Sequence, residues 1–188
     1  MTCIVGIEHA DGVLIGGDSA GVSGYSVTVR GDEKVFTVGP CVMGFTSSFR
    51  MGQLLRYQLH VPILGSEDLE DLDRFVATRF VDSVRETLRD GGFSKVENNQ
   101  EEGGTFLMGI CGRLYGIEED FQFGRSVDGY LAVGAGDSYA LGSLYTTAQY
   151  DIAPRDRAEL ALNAAAYMSG AVMPPFTFID VPGDYGLN

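Results

Sequence analysis

The order in which hydrophobic periodicities succeed one another constrains this chain most. From residue 3 to 46 short apolar or alternating runs are separated by turn residues, predicting strands over Cys3 to Glu8, Val13 to Ser19, Tyr25 to Arg30, Lys34 to Val38 and Cys41 to Thr46. Asp11-Gly12 between the first two is a hairpin signal, because the pair tolerates the positive φ that such turns require. Helical spacing then takes over. Met51, Leu54, Leu55 and Leu59 mark a helix over Phe49 to His60, and Leu69, Leu72, Phe75, Val76, Phe80, Val81, Val84 and Leu88 mark another over Leu69 to Arg89. Ser66 and the acids at 67, 68 and 70 suit the N-terminus of that second helix. The polar, glycine-rich Gly91 to Gly104 reads as a loop. Strands return at Thr105 to Cys111, Leu114 to Glu118 and Tyr130 to Val133, helices at Ser138 to Tyr150 and Pro154 to Ser169, and a last strand at Phe176 to Val181, ended by Pro182. Strand runs and helix pairs kept apart in this way predict an α+β fold, since a doubly wound sheet would alternate strand and helix throughout. The sequence shows no internal repeat.

A chain of 188 residues with 45% apolar content suits a single domain over 1–188 with its own core. The formal charge of −13 argues against a nucleic-acid partner, which would need clustered Lys and Arg. Cys3, Cys41 and Cys111 are odd in number, lack CxxC spacing and lie in apolar runs, so they read as buried reduced thiols. That predicts a reducing compartment and a cytoplasmic location. No apolar stretch reaches the roughly 18 residues of a membrane span, and no signal-peptide pattern opens the chain. His9 and His60 stand apart with no ligand set around them, so no metal is expected. Gly134-Ala135-Gly136 lacks the third glycine of a dinucleotide loop and reads as a strand-to-helix turn, so no cofactor is expected.

The residues that carry chemistry lie near the start. Removal of Met1 would make Thr2 the first residue, with Asp18 sixteen positions on and Lys34 thirty-two positions on. A Thr hydroxyl is a weak nucleophile, but a free α-amine on the same residue can act as its base while a lysine and a carboxylate tune the pair. Each residue alone has an ordinary reading: an Asp after two glycines as a turn former, a Lys as a solvated charge.

At these spacings the chain resembles the proteasome β subunits and the bacterial ATP-dependent protease subunit HslV. Thr2-Cys3-Ile4-Val5-Gly6 resembles the processed start of that family. Val42-Met43-Gly44-Phe45 resembles its Ile-Ala-Gly strand, and Leu131 to Asp137 resembles its Ile-Gly-Ser-Gly-Gly turn. The resemblance implies the four-layer α-β-β-α sandwich of the N-terminal nucleophile hydrolases. It implies that the Thr2 hydroxyl attacks a peptide carbonyl, that Lys34 lowers the pKa values of the Thr2 hydroxyl and amine, and that Asp18 orients Lys34. It also places the Gly44 N–H at the oxyanion; Gly44 has a second reading as a strand glycine at a close packing contact. The substrate pocket it implies is lined by Gly21, Asp32, Phe36, Thr46 and Arg50. Asp32 and Arg50 also read as surface charges, and Phe36 as core. The implied partners are identical subunits in a ring of six or seven, usually two rings stacked, an ATPase unfoldase, and peptide or protein substrate.

Two departures concern the polar shell around the amine. Ala135 stands where the family has serine, and Ala166 where proteasome β subunits have an acid, although Ser169 is retained. They leave open a catalytically silent, ring-forming structural or interaction protein. A third alternative is an amide hydrolase of small substrates using Cys3, although Asp18 and Lys34 keep the family register from Thr2, not from Cys3.

Overall fold

The computed structural model describes residues 2–97 and 99–184. One antiparallel sheet orders Tyr130–Val133 (β12), Ile4–His9 (β1), Gly12–Gly17 (β2) and Thr177–Pro182 (β13). The other orders Phe123–Gly124 (β11), Arg113–Ile117 (β10), Phe106–Ile110 (β9), Cys41–Phe45 (β6) and Val35–Val38 (β5), again antiparallel. Strand alternation sends successive side chains to opposite faces, and here both faces are apolar. Ile4, Val13, Ile15, Val42, Leu107 and Leu114 meet between the sheets. Cys3, Val5, Ile7 and Leu14 turn the other way, onto the helices Asp137–Thr147 (α5) and Pro154–Met168 (α6). Met43, Phe45, Phe106, Met108 and Tyr115 face the helices Phe49–Tyr57 (α1), Leu72–Phe75 (α3) and Val81–Asp90 (α4). The outcome is helix, sheet, sheet, helix.

Local chemistry sets the helix starts. Ser48 accepts a hydrogen bond from Arg50 N at 3.1 Å and opens α1. Pro154 opens α6, where its missing N–H is no loss. The single helix expected over Leu69 to Arg89 is divided. Ser66–Glu70 (α2) stops at Asp71, which leaves helical geometry and accepts from Arg74 N at 3.1 Å to restart the chain as α3. A π-helical turn, Val76–Phe80, then joins α3 to α4.

Three further differences have simple causes. The strand expected over Tyr25 to Arg30 is half of a hairpin, Ala20–Ser23 (β3) with Ser26–Val29 (β4), turned at Gly24 with φ 58°. The expected polar loop from 91 to 104 contains a second hairpin, Lys95–Glu97 (β7) with Gln100–Glu102 (β8), whose largely exposed residues carry no buried alternation to reveal it. Pro182 is counted in β13 as its last residue, opposite Gly12, as an edge strand permits. Among the described residues no helix is long and apolar enough to cross a membrane.

Candidate active site

Asp18 follows the end of β2, and its carboxylate is held from four directions. Oδ1 accepts from Cys3 N at 3.1 Å and Lys34 Nζ at 2.7 Å; Oδ2 accepts from Ala20 N at 2.9 Å and Met173 N at 3.2 Å. Lys34 precedes β5 and reaches back to donate to Thr2 Oγ1, also at 2.7 Å. Thr2, Asp18 and Lys34 are all buried. Burial is the main force on Lys34 and draws its pKa below the ordinary lysine value, while the charge and hydrogen bond of Asp18 act in the opposite sense. A hydroxyl, an ammonium and a carboxylate are thus in line, with the ammonium able to stabilise an alkoxide at Thr2.

The strand-to-helix turn after β12 holds the backbone of Thr2. Gly136 N donates to Thr2 O at 3.3 Å, and Gly134 sits at φ 102°, where a Cβ would stand 2.4 Å from that same oxygen. Only glycine allows this approach. Ala135, between them, is exposed. On the other side, Ser169 Oγ accepts from Ala171 N at 3.3 Å and shapes the turn that presents Met173 N to Asp18. The segment is tied again by Ser19, whose N donates to Met173 O at 2.9 Å and whose Oγ donates to Pro175 O at 2.6 Å. Met173 was not singled out from sequence, and no signal could have found it, because its contribution is a backbone N–H that any residue but proline carries. Met1 lies outside the described residues.

Several expected site residues fall elsewhere. Gly44 is the middle of a ladder, paired with Val35 on one side and Leu107 on the other. Phe45 N donates toward β5, to Lys34 O, and Thr46 N toward β9, to Thr105 O. Alternation therefore turns the Gly44 N–H into the ladder with β9, and it does not face an oxyanion. Its lack of a side chain has a packing cause: a Cβ would stand 2.5 Å from Ile4 Cγ2 and 2.9 Å from Ile15 Cγ2. Phe36 does not line a pocket either, being packed in the helix-side core with its ring 6.2 Å from that of Phe45. Arg50 directs its guanidinium to Gly91 O at 3.3 Å, away from the other expected pocket residues. Gly21 and Asp32 do come together, around Arg30. Thr46 lines a cleft of about 400 Å³ with Ser47, Gly134, Asp137, Glu118 and Glu119.

Cys3 is fully buried on the α5–α6 side, and burial, reinforced by Asp18, pushes its thiol up to about 12. Burial of this kind disfavours the thiolate. Among the described residues no cluster of three or more His, Cys, Asp or Glu side chains is placed to hold a metal.

No protein-family model matches the chain, and no curated protein sequence matches it. Solved structures do. A structure of Thiobacillus denitrificans BPH in complex with epoxomicin superposes with a TM-score of 0.79 at 17% identity, covering 97% of this chain and 99% of that one. HslV from Trypanosoma brucei gives 0.68 at 15% identity, over 96% and 99%. Anbu from Hyphomicrobium sp. strain MC1, as a Gly-1 mutant, gives 0.66 at 17% identity, over 97% and 82%. The chain has the α+β sandwich fold of these proteasome-type N-terminal nucleophile hydrolases.

Proposed function

We propose that this chain is a threonine-type peptidase subunit of the proteasome/HslV kind. The observation that carries the reading is Lys34 Nζ, 2.7 Å from both Thr2 Oγ1 and Asp18 Oδ1 in a buried site. With Met1 removed, the Thr2 α-amine takes the hydroxyl proton as Oγ1 bonds to a peptide carbonyl carbon, and the Lys34 cation lowers the pKa of both groups. The amine then passes that proton to the departing peptide nitrogen, leaving an ester on Thr2. Water, activated by the same amine, cleaves the ester, releases the carboxylic acid and restores the hydroxyl. The oxyanion donor belongs to the turn at 46–48. Thr46 N donates to Thr105 O and Ser48 N to Thr46 O, and Ser47, between them, lines the cleft, so its N–H is the donor we assign to the oxyanion.

The assembly that suits this chemistry is a ring of identical subunits, six or seven to a ring and stacked in pairs, fed with unfolded protein by an ATPase in the cytoplasm. Sedimentation at micromolar concentration checks the ring; a monomer would refute it. Ala135 and Ala166 favour the second reading, a ring protein without catalysis.

Intact mass separates the two. The natively expressed protein is weighed before and after incubation with epoxomicin, with Thr2→Ala as control. Loss of Met1 and one adduct that is absent from Thr2→Ala supports the peptidase. A retained methionine, or a free Thr2 that takes no adduct, supports the silent assembly protein.

A further inference from the structure

Arg30 follows β4, and its side chain folds back over the hairpin. Its stem covers Gly21, where a Cβ would stand 2.5 Å from Arg30 Cδ and 2.7 Å from Cγ. Its guanidinium carbon lies 4.0 Å from the centroid of the Phe49 ring. Nε and Nη2 each donate to one oxygen of Asp32, both at 2.6 Å. The same Phe49 ring is 5.8 Å from Lys34 Nζ, the group that holds Thr2 Oγ1, so Arg30 is stacked on the wall of the Thr2 site. A floor without a side chain, an aromatic face and a carboxylate taken in a two-point fork are what a protein uses to receive a guanidinium from outside. Here the chain supplies its own. A cavity that Asp32 and Phe49 also line, with Phe45 and Arg56, is only about 20 Å³.

We propose that Gly21, Asp32 and Phe49 form a cation subsite beside Thr2, and that Arg30 occupies it in place of an arginine or lysine side chain of a peptide. Arg30 is thereby a specificity-determining residue: with it in place the protein takes small side chains at this position, and without it basic ones. The pair is partly exposed, at 38% and 41%, so it contributes little to folding and its loss leaves the fold intact. The subsite deepens the peptidase reading and rests on it for the substrate class, but occupancy of the subsite does not require turnover.

Calorimetric titration with L-arginine amide tests it directly. Arg30→Ala should bind about tenfold or more tightly than the unaltered protein, and the double variant Arg30→Ala/Asp32→Asn should lose that gain. Equal affinities for the unaltered protein and Arg30→Ala, or a gain that survives Asp32→Asn, would overturn the subsite. Should Arg30→Ala lack a cooperative thermal transition, Arg30→Gln also frees Asp32, and the same comparison applies. Paired peptides with Arg or Ala before the scissile bond then read specificity. Arg30→Ala should raise the Arg-over-Ala ratio of kcat/KM about tenfold. Asp32-dependent binding without cleavage of either peptide would overturn the peptidase and leave the subsite standing; cleavage of the Ala peptide with no gain toward Arg would overturn the subsite alone.

Discussion

Lys34 Nζ lies 2.7 Å from Asp18 Oδ1 where neither side chain reaches solvent, at 1% and 0% exposure. Removing one member of such a pair strands a buried charge, which typically costs about 3–5 kcal/mol. The two members are not equivalent. Asp18 also accepts from Cys3 N, Ala20 N and Met173 N, whereas Lys34 donates elsewhere, among the described residues, to Thr2 Oγ1.

That asymmetry predicts a ranking. Asp18→Asn leaves the ammonium without a counter-charge and turns an amide NH₂ toward backbone donors, so it should lose about 3–5 kcal/mol. Lys34→Met leaves a carboxylate still holding three N–H bonds and should lose less, about 1–3 kcal/mol. Urea unfolding of the two variants measures the difference; the reverse order would show that the lysine, not the carboxylate, anchors the site. Both should be unreactive toward epoxomicin.

Much of this could be read from the chain. The α+β class followed from strand runs and helix pairs kept apart, while the four layers and the meeting of Thr2, Asp18 and Lys34 were implied by the family resemblance at those spacings. Direction was what the sequence lacked. A one-dimensional pattern places Gly44 on β6 but does not say whether its N–H enters a ladder or a cleft. In the same way Phe36 and Arg50 lie on the expected elements while their side chains point to the core and to Gly91. The hairpin β7–β8 escaped because its residues are largely exposed, and periodicity reports burial, not hydrogen bonding.

Gly44→Ala should act through packing. The added methyl meets Ile4 Cγ2 and Ile15 Cγ2 between two sheets that cannot part locally, for about 1–3 kcal/mol. Where the variant is folded, its rate of labelling by epoxomicin should be within about threefold of the parent. A labelling rate lowered about 10²-fold or more at unchanged unfolding midpoint would return Gly44 to the oxyanion.

Alkaline pH should weaken the fold through Cys3. An unfolded cysteine ionises near 9.0, whereas the buried Cys3 keeps its proton to about 12, so its contribution is complete below 9.0 and disappears as pH rises toward 12. Lys34, lowered by burial, works in the opposite sense up to its ordinary 10.5. Comparing the parent with Cys3→Ala isolates the thiol: the urea midpoint of the variant should fall less between about pH 8 and 11. Parallel curves would mean that the thiol ionises alike in both states.

The turn at 134–136 offers the sharpest contrast, because two adjacent residues should respond in opposite directions. Gly134 combines φ 102° with a Cβ position 2.4 Å from Thr2 O, and the obstacle is backbone, which cannot rotate away. Gly134→Ala must therefore move Thr2 itself. A nucleophile displaced by about 1 Å loses on the order of 10²-fold in rate, so labelling by epoxomicin should fall by that factor even where the variant stays folded. Ala135 is exposed and makes no such contact, so Ala135→Ser adds a hydroxyl to the turn with no packing penalty. If Thr2 is a nucleophile, an orienting hydroxyl restored at this position should raise the labelling rate about tenfold, as one hydrogen bond can. Should Gly134→Ala lower stability while neither variant changes reactivity from zero, the turn serves the fold alone and the silent assembly protein is the better description.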